Sequence, residues 1–388
     1  MNTPELLPIY LDYAATTPTD PEVAAAMLPY LSGPLSLGNA SSIHRVGRQA
    51  RAAVDEARDA VARLIQADYA ELYFTGSGTE ADNLALIGAM QSAPPGRNHL
   101  VVSAIEHHAV LHTAHYLQTQ GFAVTTVPCG SDGLVSLEAV AEAVTDQTAL
   151  VSIMHANNEI GTIQPIADFA RIAHERGAKF HTDAVQSAGM LPVDVRVLDC
   201  DLLSLCAHKI YGPKGAGALY IRQGIKVAPQ VHGGAQEREK RAGTENVTAL
   251  VGFGRAAELS ITRRDTDSAH LTMLRDRFLT LLRAAIPDLI LNGHPTLRLP
   301  NNVNVSVPGA EGTTLLMNLD RKGIAASSGS ACSSGSLEPS HVLKAIGLAD
   351  TLASSGVRFS LGRTTTDAEI VQAAEIFAAI VQRLRRPR

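Results

Sequence analysis

The sequence predicts an α/β fold, with a mostly parallel sheet covered by helices and a smaller α+β domain after it. Two observations predict this. Short apolar runs alternate with helix-like segments through the first two thirds of the chain, the rhythm of a parallel sheet with helices on both faces. Near residue 255 the rhythm stops. A long stretch then places Leu271, Leu274, Phe278, Leu281, Leu282 and Ala285 at helical spacing. The 388 residues, 45% of them hydrophobic, suffice for two domains with cores of their own.

In chain order, a strand is predicted over 70–75 and a helix over 80–90. A strand follows over 99–103, a helix over 109–120 and a strand over 122–128. The apolar run 150–155 precedes a helix over 166–176, and strands are expected over 179–183 and 201–206. Sheets of this kind bind ligands beyond the carboxyl ends of their strands. After the long helix come a strand over 302–307, a helix over 313–322, a Ser/Gly segment over 327–336 and a strand over 356–361. The last helix opens on Thr366-Asp367-Ala368-Glu369, a capping-box pattern. The expected division is a large domain over 16–259, with 1–15 and 260–388 forming the smaller one.

Charged residues make up 18% of the chain, the net charge is −5, and no long block of like charge appears. This argues against disorder and against nucleic-acid binding driven by bulk charge. The basic cluster Arg383, Arg385, Arg386 and Arg388 reads as a solvated helix end. No apolar run approaches a membrane span, so no membrane partner is expected. The first 44 residues hold no Lys or Arg, which argues against a secretory signal or transit peptide. Cys129, Cys200, Cys206 and Cys332 include no CxxC pair, so a reducing, cytoplasmic setting is expected.

Several segments carry residues suited to chemistry. In the run from Ser327 to Ser336, Cys332 stands among side chains no larger than a hydroxymethyl group. By composition this is either a presented nucleophilic thiol or a flexible linker. The run Thr75 to Glu80 joins a strand to a helix with small residues. It suits a phosphate cradle, and equally a tight turn. Asp183 ends one predicted strand and Lys209 follows the next. If those strands are parallel neighbours, both side chains emerge at one edge. There a carboxylate and an amine could hold a pyridine-type cofactor, the amine as a Schiff base. Taken alone, the pair could equally be surface charges. His107 follows a strand and could cover a flat cofactor. His108, His112 and His115 share a helix face, which reads as a polar face before it reads as a zinc site, and no metal is expected.

Together these segments resemble the class V aminotransferase family, and within it the cysteine desulfurases of the NifS/IscS type. The resemblance runs from Tyr10-Leu11-Asp12-Tyr13-Ala14-Ala15-Thr16-Thr17-Pro18 to Arg358-Phe359-Ser360-Leu361-Gly362-Arg363. Its longest motifs are His155-Ala156-Asn157-Asn158-Glu159-Ile160-Gly161 and the run from Ser327 to Val342. It implies a pyridoxal phosphate (PLP) enzyme of fold type I, built on a mostly parallel sheet of the seven-stranded type and usually a homodimer. Lys209 would be the Schiff-base lysine. Asp183 would keep the pyridine nitrogen protonated, Gln186 would bond the ring hydroxyl and His107 would stack on the ring. Gly78, Thr79 and His208 would hold the phosphate, with Thr244 reaching in from the other subunit. Asn158 and Arg358 would take the substrate carboxylate, Asn158 also bordering the cofactor.

The reaction implied converts L-cysteine to L-alanine. Lys209 would remove the α-proton, and the Cys332 thiolate would take the sulfur as a persulfide. The sulfur would then pass to an acceptor protein, an iron–sulfur scaffold or another thiol carrier. A selenocysteine lyase or another class V aminotransferase is the alternative within the same resemblance. Cys206 departs from the pattern, standing where the family generally has a phosphate-binding serine. The sequence ends at Arg388, whereas the family's housekeeping members carry a longer tail that helps dock the iron–sulfur scaffold; that partner, or at least that docking mode, is left open by the resemblance.

Overall fold

The computed structural model describes residues 9–328 and 339–385. Cys332 and the rest of 329–338 lie outside the described residues, as do Arg386 and Arg388. The chain runs through β1 (Ile9–Tyr10), α1 (Pro21–Leu31), α2 (Arg45–Leu64), β2 (Leu72–Thr75), α3 (Gly78–Gln91), β3 (His99–Ser103), α4 (His108–Thr119) and β4 (Ala123–Val127). It continues through α5 (Leu137–Ala143), β5 (Thr148–Ser152), α6 (Ile166–Glu175), β6 (Lys179–Asp183), β7 (Leu202–Cys206) and β8 (Gly217–Ile221). The remainder is α7 (Val247–Ala285), β9 (Ile290–Leu291), β10 (Asn302–Ser306), α8 (Gly312–Asp320), β11 (Ile324–Ala325), α9 (His341–Ala345), α10 (Asp350–Ala353), β12 (Gly356–Ser360) and α11 (Asp367–Leu384).

The main sheet has seven strands in the order β2-β8-β7-β6-β5-β3-β4. Six run in one direction, and β8 runs against both of its neighbours. Strands β3, β5 and β7 are buried along their whole length, as helices on both faces require. Strand β6 is exposed only at its first residue. The apolar run expected over 150–155 pairs as Thr148–Ser152, and residues beyond Ser152 leave the sheet. Strand β8 was not expected. Its five buried residues resemble any inner strand, and only the pairing to β2 and β7 sets its reversed direction.

Helix α7 spans 39 residues and begins well before the change of rhythm near 255. Its first turns contain Gly252 and Gly254, which weaken the helical signal in the sequence. A Cβ at Gly254 would lie 2.7 Å from Ala57 Cα of α2, so glycine is what lets the two helices approach. The second half of α7 buries Leu271, Leu274, Phe278 and Leu282 in a separate apolar cluster. There the Phe278 and Phe377 rings each stand edge-on to Phe359, at 5.1 and 5.3 Å between centroids. The three-stranded sheet β12-β10-β9 and α11 complete that cluster. The capping box at Thr366 forms as expected. Strand β1 pairs in parallel with β11, and Asp12 bridges to Ser360 of β12. Among the described residues no helix is long and apolar enough to cross a membrane.

Candidate functional site

Strands β6 and β7 are parallel neighbours, with Asp183 opposite Ser204. Asp183 therefore ends its strand at the edge where the chain leaves β7 and turns through a short 3-10 helix, Ala207–Lys209. Both residues line one cavity of about 370 Å³ at the carboxyl ends of the strands. Lys209 Nζ donates to Ala15 O at 2.8 Å and also to Ala14 O. The segment after β1 thus closes the cavity from one side.

The end of the cavity nearest α3 is built from small residues. Ser77 caps the helix, its hydroxyl accepting from Glu80 N at 3.1 Å, and Gly78 and Thr79 line the cavity. A Cβ at Gly78 would come within 2.8 Å of Val185 Cγ2, so a side chain there would crowd the cradle. The adjacent turn is held by Glu80, which accepts from Gly76 N at 2.7 Å and pairs with Arg241 Nε at 2.8 Å. Cys206 and His208 line the same cavity. Burial pushes the Cys206 thiol up to about 12, so it stays protonated. Burial, with Lys209 adding to it, pushes His208 down to about 4.

The Asp183 carboxylate, which lines the same cavity, accepts from Val185 N at 2.9 Å. Burial raises its pKa, while that N–H and the Lys209 charge favour the anion. His107 caps α4, with Nδ1 accepting from Ala109 N at 3.1 Å. Burial, with Lys209 next in weight, pushes it down to about 4, which leaves a neutral imidazole. Gln186 donates its amide to Ala14 O at 2.9 Å.

Arg358 of β12 also lines the cavity and is 2% exposed. It donates to Asn158 O at 2.9 Å and to Asp12 Oδ1 at 2.7 Å. Asn158 lines the cavity with it.

Every candidate residue within the described chain lines this cavity except Thr244. Thr244 borders a separate pocket of about 180 Å³ with Gly76, Glu237 and Arg241. The histidine face lies on α4, and His341 joins it. His108 meets His112 and His341, at 4.9 and 4.7 Å between ring centroids. No group of three or more ligand-type side chains among the described residues is placed to hold a metal ion. Asp12 and Asp82 were missed by sequence reasoning, because an isolated Asp carries no signal of where it will be buried.

These residues fit PLP. The glycine cradle opens at a helix N-terminus, suited to a phosphate. A buried carboxylate lines the cavity, suited to a pyridinium nitrogen, and an amine lies in the same cavity.

The class-V aminotransferase family model matches residues 9–372. Cysteine desulfurase IscS of Methanosarcina thermophila is 49% identical over 377 residues, covering 97% of this chain and 93% of that one. Cysteine desulfurase IscS of Dictyoglomus turgidum is 48% identical, covering 97% and 95%. Among solved structures, a NifS-like protein superposes with a TM-score of 0.90 at 35% identity, covering 97% of this chain and all of that one. SspA in complex with cysteine gives a TM-score of 0.81 at 35% identity, covering 92% of this chain and all of SspA. The chain belongs to the class-V aminotransferase family and, within it, to the cysteine desulfurases, which work with pyridoxal phosphate.

Proposed function

We propose that this cysteine desulfurase divides its work as follows. Arg358 and Asn158 take the carboxylate of L-cysteine, the guanidinium through two parallel hydrogen bonds. Lys209 Nζ anchors the cofactor and, once released, moves the substrate α-proton. PLP, when bound, supplies an electron sink that weakens the bonds around the substrate α-carbon. Asp183 holds the proton on the ring nitrogen. His107 covers the ring face as a neutral imidazole, and Gly78, Thr79, Cys206 and His208 hold the phosphate. The Cys332 thiolate would attack the substrate sulfur, forming the S–S bond of a persulfide as the substrate Cβ–S bond breaks; the electron pair of that bond stays with the carbon fragment, which is protonated and leaves as alanine.

The single observation that carries this reading is the convergence of Lys209, Asp183, His107 and Arg358 on one cavity, from four distant parts of the chain. SspA, a structural neighbour, is seen with cysteine. The test measures sulfide and alanine from L-cysteine and a reductant, for the wild type and Cys332→Ala. Wild-type release that the variant loses is expected. Equal release from both sinks the role of Cys332.

The acceptor in this reading is a thiol-bearing protein, an iron–sulfur scaffold where the IscS-named relatives are the guide. A homodimer is part of it too. Thr244 lies outside the cavity of its own chain, and Leu31, Leu37 and Ile43 expose 70%, 77% and 90% of their surface. We also read the chain as a large cofactor domain over 16–259 and a small domain made of 1–15 and 260–388. Cys129, Cys200 and Cys206 are unpaired, which supports a reducing, cytoplasmic setting.

A further inference from the structure

The motif from His155 to Gly161 brings more to the site than Asn158. Asn157 and Glu159 on either side of it are buried, and neither lines the cavity. Asn157 Oδ1 accepts from Glu159 N at 2.8 Å and from Ile160 N at 2.9 Å, which folds the turn. The Asn157 amide donates to Ile105 O at 2.7 Å. The turn also docks on β10, where Asn302 Nδ2 and Asn304 Nδ2 each donate to Glu159 O at 3.1 Å. Asn304 stands opposite Arg358 in the register of β10 and β12. Gly161 has φ +77°, and a Cβ there would lie 2.9 Å from Asn302 Cβ, so glycine permits this close docking. The backbone that presents Asn158 O to Arg358 is therefore held without the Glu159 side chain.

That side chain makes a different link. Glu159 Oε2 accepts from Ser340 Oγ at 2.5 Å, the short length of a hydroxyl–carboxylate bond. Ser340 is 5% exposed, and its hydroxyl oxygen accepts from Leu343 N at 3.2 Å, capping α9. The helix itself is fixed by packing. Val342 and Leu343 belong to the apolar cluster that holds Val151 and Phe180, and His341 Nε2 lies 3.0 Å from Glu106 O. Ser340 is thus the junction between a fixed helix and the chain before it. In the sequence Cys332 lies between Ser327 and Ser340. Ser327 is bonded to Arg358 through both backbone groups. Each of these two serines is therefore tied beside one of the carboxylate-binding residues, Ser327 to Arg358 itself and Ser340 to the neighbour of Asn158.

We propose that Glu159 is a positioning residue for sulfur transfer: its carboxyl group holds Ser340 in place relative to Asn158 and Arg358, and so fixes the second anchor of the segment that carries Cys332. The proposal rests on the reading of Cys332 as the sulfur acceptor given above. Releasing one anchor of a tethered group lowers its effective concentration at its target, so transfer slows when this bond is lost. Binding of L-cysteine is spared, because Asn157, Asn302 and Asn304 keep the Asn158 turn in place.

The test compares Glu159→Ala, Glu159→Gln and the wild type as holoenzymes. It reads the dissociation constant of L-cysteine from the bound cofactor's visible band, and the rate at which Cys332 gains a sulfur in a single turnover. Gln keeps an acceptor of the same shape for Ser340, so both readings should stay within about threefold of wild type. Ala removes the acceptor, so the transfer rate should fall about tenfold while L-cysteine binds within about twofold of wild type. The proposal falls if Ala weakens L-cysteine binding as much as it slows transfer, since Glu159 then acts on the carboxylate pair. It falls equally if Ala lowers the melting temperature and leaves the transfer rate unchanged, since the bond is then structural only. A loss in Gln as large as in Ala also overturns it, because the charge and not the acceptor is then what counts. Should Glu159→Ala not fold, Ser340→Ala removes the donor from the same bond, with the same tenfold loss expected and an unchanged rate overturning the proposal. A wild type whose Cys332 gains no sulfur overturns the Cys332 reading itself, and this proposal with it.

Discussion

Arg358 and Ser327 are joined backbone to backbone. Ser327 N donates to Arg358 O at 3.1 Å, and Arg358 N donates to Ser327 O at 2.6 Å. The residue assigned to the substrate carboxylate therefore anchors the start of the segment that carries Cys332 in the sequence. Its side chain is fixed separately, by Asp12 and Asn158 O.

Arg358→Lys should raise KM for L-cysteine at least tenfold with a smaller effect on kcat. A lysine keeps the charge but loses the planar fork that can serve Asp12, Asn158 O and a carboxylate together. That fork is worth on the order of 1–3 kcal/mol. Steady-state kinetics checks this, and an unchanged KM would remove Arg358 from carboxylate binding.

Cys206→Ser should leave PLP affinity equal or better. The thiol is buried, stays protonated and donates weakly, whereas a hydroxyl in its place is a full donor. Equilibrium dialysis of the two proteins against PLP decides it. A clear loss of affinity would contradict the assignment of Cys206 to the phosphate end.

Glu159→Gln should stabilise the apoprotein at pH 8 and have little effect at pH 4. Glu159 is buried, its Oε2 accepting from Ser340 Oγ at 2.5 Å, and burial raises it to about 7. A carboxyl raised in the folded state favours the protonated form. Its cost to stability is absent below the unfolded value of about 4.5, grows as pH rises to about 7 and is constant above. The gain from Gln at pH 8 is roughly 2–4 kcal/mol, less what the amide loses toward Arg358. Urea unfolding at the two pH values measures it, and equal effects at both would show that Glu159 titrates normally.

Much of the fold was legible in the sequence, because strands buried on both faces must be apolar and the helices between them must carry a stripe. Strands β3 and β6 match their expected bounds, and α3, α6 and β12 lie within two residues of theirs. Strand β8 and the first turns of α7 were not legible. The direction of a short apolar run is settled by its neighbours, and Gly252 and Gly254 are explained only by what packs against them.

The candidate site divides in the same way. Lys209, Asp183, His107 and Arg358 could be named from local motifs, since strand ends and family-like runs are local features. Their meeting depends on β6 lying beside β7 and on β12 bringing Arg358 to Asn158 and Asp12. Asp12, Asp82 and Glu159 look like ordinary charges in the sequence. Burial of Asp82 and Glu159, and the pairing of the half-buried Asp12 with Arg358, make them matter, and both belong to the packed chain. The sequence by itself determined which chemical groups this enzyme has. Only the tertiary structure decided which of them share one low-dielectric space, where Coulomb and desolvation terms are strong enough to set who carries a proton.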